Sequence, residues 1–207
     1  MADVSSNIVS ALAEAARRLA AVSDTPRLDA ELLMAEALGV ERGGLLLSAM
    51  DGPVPGGFPA LVERRLAGEP VAYILGRRAF WTIELDVGPG VLVPRPDTET
   101  LIEAAIAHFQ GRAPERVLDL GTGSGALLLA ALAEWPDASG LGIDRSEEAL
   151  AIARANAERI GLSGRAAFHL GNWAEGITER FDLVLCNPPY IETGAELPRD
   201  VADWEPH

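Results

Sequence analysis

Asn187-Pro188-Pro189-Tyr190 follows an apolar run, residues 181–186. Two consecutive prolines donate no backbone hydrogen bonds and cannot continue a buried strand. They stiffen the turn that follows it. The asparagine then sits at the C-terminal end of a strand, which is where open α/β sheets bind ligands. Its side chain carries both a carbonyl acceptor and an NH2 donor. A rigid turn bearing such a group suits the holding of a planar amide or amine by its N–H groups. That is chemistry on a nitrogen. Read alone, the tetrapeptide is equally a loop whose prolines stop a strand.

A second constellation lies upstream. Asp119-Leu120 leads into Gly121, Thr122, Gly123, Ser124 and Gly125. Glycines there allow tight turning and close approach of a ligand, and a following helix offers free N–H groups at its start. The spacing is Gly-x-Gly-x-Gly and not the Gly-x-Gly-x-x-Gly of dinucleotide binders, which favours S-adenosylmethionine over NAD. The plainer reading is a tight strand-to-helix turn. Asp144 ends the next strand, where a carboxylate can accept both ribose hydroxyls of an adenosine group. Its competing role is to cap the helix that follows, a role Ser146 contests. Asn172-Trp173 closes a third strand; the tryptophan can flank an adenine ring or simply pack. Cys186 reads as a small core residue and not a nucleophile, with no histidine beside it in sequence.

Composition narrows the classes. The chain has 207 residues and a formal net charge of −14, and all 17 basic residues are arginine. So acidic a balance argues against a broad nucleic-acid-binding face, which needs clustered cations. One cysteine permits no intrachain disulfide or cysteine-based metal cluster. His108, His169 and His207 have no ligand spacing, so no metal is expected. The N-terminal stretch lacks a basic patch followed by an apolar core and does not read as a signal peptide. No apolar run approaches membrane-spanning length. The expectation is a soluble, cytoplasmic protein.

The elements that must position these residues can be read from periodicity. Ser5 and Ser6 can cap a helix with Ile8, Val9, Leu12, Ala16 and Leu19 at helical spacing. Ser23 or Asp24 can cap a second, with Pro26 in its first turn and Leu28, Leu32, Leu33, Ala35 and Leu38 inward. A loop at 52–57 precedes a helix at 59–66. Trp81, Ile83, Leu85 and Val87 alternate as a strand does, and Gly88-Pro89-Gly90 turns it into a second short strand at 91–93. Asp97 or Thr98 then caps a helix running to about His108. Beyond that, strands at 116–120, 140–143, 166–170 and 181–186 alternate with helices at 126–135 and 146–160. Such alternation implies a parallel sheet with helices on its faces. The expected organisation is a helical domain at 1–76, a β-hairpin linker at 77–94 and an α/β domain at 95–207.

These motifs together resemble the HemK/PrmC protein-glutamine methyltransferases, which act on peptide chain release factors. The matching segments are Gly76-Arg77 to Phe80, Pro94-Arg95-Pro96-Asp97-Thr98-Glu99, residues 119–125, Asp144, Asn172-Trp173 and residues 187–190. Asp97 stands where that family commonly has Glu, a conservative departure. The resemblance implies a Rossmann-like S-adenosylmethionine-dependent methyltransferase sheet with a small N-terminal helical domain that docks the protein substrate. It implies that Gly121 to Gly125, Asp144 and Trp173 hold S-adenosylmethionine. It places Asn187 beside both cofactor and substrate, with Asn187 and Pro188 catalytic and Asn187, Pro188, Pro189 and Tyr190 lining the glutamine. The implied substrate is the glutamine of a Gly-Gly-Gln loop in the release factor, without direct nucleic-acid or membrane binding. In that family the sheet order is 3-2-1-4-5-7-6, so the strands read here make its 3-2-1-4 half, with the C-terminal strands missing. The same Asn-Pro-Pro-Tyr turn occurs in adenine-N6 and some guanine-N2 nucleic-acid methyltransferases. A base-amine methyltransferase and an inactive S-adenosylmethionine-binding module are therefore the alternatives.

Overall fold

The computed structural model describes residues 7–188 and 203–206. They divide into two compact units: one runs to Leu75 and takes in Trp204, the other begins at Gly76 and takes in Glu205.

The first unit is helical. Helix α1, Ile8–Leu19, buries Ile8, Leu12, Ala15 and Leu19, one stripe of a 3.6-residue repeat. Its cap is Asn7, whose side-chain oxygen accepts the Ser10 N–H at 3.0 Å. Asn7 is thus the residue that satisfies an orphan donor of the first turn; Ser5 and Ser6 lie outside the described residues. Helix α2, Pro26–Leu38, starts after Thr25, not on a Ser23 or Asp24 cap, and ends on Gly39 at φ 67°. Its inward face also departs from the sequence expectation. Leu28 is 39% exposed, while Asp29 and Glu31 are buried beside Ala30, Leu33, Met34 and Ala35. Pairing makes this possible. Asp29 accepts from Arg65 at 2.9 Å, and Glu31 accepts from Arg27 at 2.6 Å and Arg42 at 2.8 Å. A short helix α3, Arg42–Gly44, runs into a π-helical turn, Leu45–Ala49. Helices α4, Phe58–Leu66, and α5, Val71–Leu75, complete the unit. Phe58, Val62 and Ile74 join the core of α1 and α2.

The second unit opens with a hairpin. Strands β1, Arg77–Phe80, and β2, Ile83–Asp86, pair antiparallel with Phe80 opposite Ile83. The turn is therefore Trp81-Thr82, one strand earlier than the alternation suggests, and residues 91–93 form no strand. Trp81 adopts φ 54°, the left-handed conformation that ends a strand. Val91 and Val93 are buried as packing residues instead. A 3-10 turn, Pro96–Thr98, leads into α6, Glu99–Phe109.

The sheet follows. Strands β3, Arg116–Leu120, β4, Ser139–Asp144, β5, Ala166–Leu170, and β6, Leu183–Cys186, are all parallel in the order β5-β4-β3-β6. Helices α7, Ala126–Glu134, and α8, Glu147–Arg159, connect β3 to β4 and β4 to β5. This is the 3-2-1-4 half of the expected order, with β6 beginning at Leu183. Helix α7 is buried from Ala126 through Leu132, as an element covered on nearly all sides must be. Gly142 admits the close packing beneath the β3–α7 loop: a Cβ there would lie 2.8 Å from Thr122 Oγ1 and from the Phe168 ring. Among the described residues no helix is long and apolar enough to cross a membrane.

Candidate active site

The sheet register gathers the singled-out residues at one edge. Leu120 pairs with Ile143 on one side and with Cys186 on the other. The chain therefore leaves β3, β4 and β6 side by side, at Gly121, after Asp144 and at Asn187.

The glycine-rich loop is drawn down onto β4. Gly121 N–H and Thr122 N–H both donate to the Ile143 carbonyl, at 2.8 and 3.0 Å. Gly121, Gly123 and Gly125 have φ of 73°, 54° and 85°, conformations that side-chain-bearing residues rarely take. A Cβ on Gly121 or Gly123 would meet no atom within 4 Å. Backbone geometry, not crowding, selects glycine at these two positions, and the space beside the loop is open.

Asp119 lies beneath that loop and is 1% exposed. Its Oδ2 accepts the Thr122 hydroxyl at 2.6 Å and the Leu128 N–H at 3.3 Å. Its Oδ1 is buried with no hydrogen-bond partner among the described residues. Burial pushes its carboxyl up to about 6, against the pull of the Thr122 and Leu128 hydrogen bonds and with a further push from Asp144. A buried acceptor without a donor is rare in folded proteins and marks a place where a ligand can supply one.

Asp144 is half-buried. Its Oδ2 accepts the Gly123 N–H at 2.9 Å and its Oδ1 the Ser146 N–H at 3.0 Å. The cap of α8 is Ser146, which accepts from Ala149 N–H at 3.2 Å. Asp144 is thus released from capping and tied to the glycine loop. Gly171 N–H donates to the Asp144 carbonyl at 2.9 Å, which brings the start of the 172–173 loop to the same edge. Trp173 has φ 53° and is 51% exposed, so ordinary core packing does not account for its ring.

Asn187 is half-buried, and its Nδ2 donates to Thr98 Oγ1 at 2.9 Å across 89 residues of sequence. Pro188 is half-buried beside it; Pro189 and Tyr190 lie outside the described residues. Cys186 is also half-buried, not fully in the core. Burial, and secondarily Asp119, raise its thiol, so it stays protonated and a poor nucleophile.

Two supporting residues escape a reading of sequence. Thr98 reads as a helix cap, yet its side chain makes no capping bond to α6 and meets Asn187 instead. Asn156 sits inside α8 at 0% exposure. Its Oδ1 accepts from Asp86 N–H at 2.7 Å, and its Nδ2 donates to the carbonyls of Asp86 and Ser124, both at 3.0 Å. It therefore joins the hairpin, α8 and the glycine loop. The one available signal was an asparagine interrupting the apolar stripe of a helix, a position that residue disfavours. Among the described residues no group of three His, Cys, Asp or Glu could hold a metal.

Comparison with known proteins fits this geometry. Residues 10–76 match the PrmC N-terminal domain family, and residues 112–202 match a methyltransferase domain family. The chain is 45% identical over 188 residues to the release factor glutamine methyltransferase of Rhodospirillum rubrum, covering 88% of this chain and 58% of that protein. It is 41% identical over 202 residues to the release factor glutamine methyltransferase of Bradyrhizobium diazoefficiens, covering 93% of this chain and 68% of that one. A solved ribosomal protein L11 methylase from Lactobacillus delbrueckii overlaps half of the chain, with a TM-score of 0.43 and 30% identity. The chain spans 58 to 61% of the length of the first three curated relatives it matches. With its helical unit and its methyltransferase sheet both matched along one continuous alignment, the chain belongs to the release factor glutamine methyltransferase family.

Proposed function

We propose that this chain binds S-adenosylmethionine and directs its methyl group to the side-chain amide nitrogen of a glutamine in the Gly-Gly-Gln loop of a peptide chain release factor. The observation that carries the reading is the pairing of an open glycine cradle with an asparagine amide already anchored beside it. The residues fit the cofactor. The loop from Gly121 through Thr122, Gly123 and Ser124 to Gly125 offers backbone approach. Asp144 stands at the end of β4 for the ribose hydroxyls, and Trp173 presents an exposed ring for the adenine. The buried Asp119 oxygen without a donor suits a cationic, N–H-bearing ligand. When bound, S-adenosylmethionine supplies an electrophilic methyl on a sulfonium.

The chain's own residues have the other half of the problem. An amide nitrogen is a poor nucleophile because its lone pair is delocalised. Asn187 Oδ1 and the Pro188 carbonyl accept the two N–H bonds of the substrate amide. Two fixed acceptors align that nitrogen and favour the positive charge that develops on it. The family resemblance assigns Pro189 and Tyr190 to the glutamine side chain as well. No general base is assigned; the proton passes to water after transfer. The helical unit docks the release factor, and the reaction belongs in the cytoplasm with translation termination.

The test is methyl transfer from labelled S-adenosylmethionine to purified release factor, with a Gly-Gly-Gln variant as control. Asn187→Ala should lower kcat by roughly 100-fold or more while cofactor binding persists. Undiminished turnover in that variant would overturn the role of Asn187. Label in nucleic acid and not in the factor would favour base-amine methylation, which the net charge of −14 disfavours.

A further inference from the structure

We propose that Thr98 is a positioning residue that anchors the Asn187 amide with its oxygen left for a substrate, an inference resting on the reading of Asn187 as the grip on a substrate amide. A side-chain amide is nearly symmetric in shape, and its two ends are opposite in hydrogen bonding. Turned one way, Asn187 offers a substrate NH2 group an acceptor. Turned the other way, it offers donor against donor, and the substrate is repelled. The bond from Nδ2 to Thr98 Oγ1 at 2.9 Å holds the first orientation. It engages the NH2 end, and among the described residues no donor is placed on Oδ1, which stays available to accept.

The hydroxyl is held firmly enough for this task. Thr98 ends the 3-10 turn begun by Pro96, and its N–H donates to the Arg95 carbonyl at 3.0 Å. At the helix-capping position its side chain makes no cap bond, so the hydroxyl is not drawn toward α6. The neighbours on either side are anchored too. Arg95 Nη2 reaches both oxygens of the buried Glu205, at 2.7 and 2.8 Å. Glu99 accepts the Trp81 N–H at 3.0 Å, and the Thr100 hydroxyl donates to the Asp97 carbonyl at 2.6 Å. Asn187 and Glu205 bracket residues 188–204 in sequence, and both are tied to the same short segment, Thr98 and Arg95 respectively. The five-residue stretch 95–99 thus carries three separate anchors, and the one at Thr98 holds the Asn187 amide.

The experiment compares Thr98→Val and Thr98→Ser with the unaltered protein. Valine keeps the shape and removes the hydroxyl; serine keeps the hydroxyl. Thr98→Val should lower kcat for the glutamine substrate ~10- to 100-fold, the scale of a misaligned reacting group, with cofactor affinity unchanged. Thr98→Ser should restore it. Full kcat in Thr98→Val would overturn the proposal. A second readout needs no turnover. In the ligand-free protein the 15N-resolved Asn187 side-chain NH2 pair, identified by its loss in Asn187→Asp, should shift in Thr98→Val and return in Thr98→Ser. An unmoved pair would overturn the proposal. Should the unaltered protein transfer no methyl to glutamine, the proposed function falls, and the NH2 pair still decides whether Thr98 holds Asn187.

Discussion

Two aspartates, one in each unit, are buried to almost the same degree and have opposite fates. Asp29 of α2 is 6% exposed and meets the Arg65 guanidinium at 2.9 Å, itself only 5% exposed. Arg65 also donates to the Val22 carbonyl at 3.0 Å and the Glu69 carbonyl at 3.3 Å. Asp119 of β3 is 1% exposed, and one of its oxygens has no partner among the described residues. The first carboxylate is matched within the protein. The second lies under an open glycine loop and is matched only in part. Burial of charge is costly unless it is paired and hydrogen-bonded, so complete pairing reads as architecture and incomplete pairing as a binding site.

Breaking the matched pair should have the largest effect on stability. Arg65→Met leaves Asp29 buried without its cation and should cost about 3–5 kcal/mol, measured by urea unfolding at neutral pH. A loss below about 1 kcal/mol would mean that Asp29 is rehydrated, and the contrast would fail.

Asp119→Asn should act more weakly and with a pH signature. Its folded carboxyl titrates near 6 against an ordinary 3.8, so the folded protein binds this proton more tightly than the unfolded chain does. That contribution to stability is fully present below about pH 3.8. It is lost as pH rises to about 6 and stays lost above. The stability of the unaltered protein relative to Asp119→Asn should therefore fall between pH 4 and pH 7. The expected size is on the order of 3 kcal/mol. Paired denaturation curves at the two pH values measure it. A cationic ligand in the cradle should flatten the difference by favouring the ionised form; persistence of the full slope at saturating S-adenosylmethionine would separate Asp119 from the ligand site.

The smallest effect should come from Leu28, which helical periodicity assigns to the core. At 39% exposure, Leu28→Ala should change stability by no more than about 0.5 kcal/mol. A core-sized loss in thermal unfolding would place it inside after all. Leu28 also shows how periodicity misleads. Its helix carries apolar residues on several sides, and the face that packs is chosen by Asp29, held by Arg65, and Glu31, held by Arg27 and Arg42. Periodicity counts apolar residues and has no term for a carboxylate whose partner lies 36 residues away, as for Asp29 and Arg65. The hairpin shows the same limit: Trp81 and Val87 extend an alternating pattern, but the chain turns at Trp81, where the backbone adopts φ 54° and Glu99 takes its N–H.

The sheet was far more legible. The 116–120 and 166–170 strands have the expected bounds, because each apolar run stops at a glycine, Gly121 and Gly171, which punctuates the chain. The glycine loop, Asp144 and the Asn187 turn each declare themselves by being polar or glycine-rich immediately after an apolar strand. That they share one edge follows from parallel topology alone.

Local sequence therefore determined the strands, the loops that end them and the residue types offered for chemistry, since each depends on neighbours within a few positions. Tertiary structure alone decided which carboxylate is left unmatched, that Asn156 joins three elements, and that Thr98 holds Asn187 across 89 residues. A hydrogen bond between distant residues has no local pattern; it exists only once the sheet has brought its partners together.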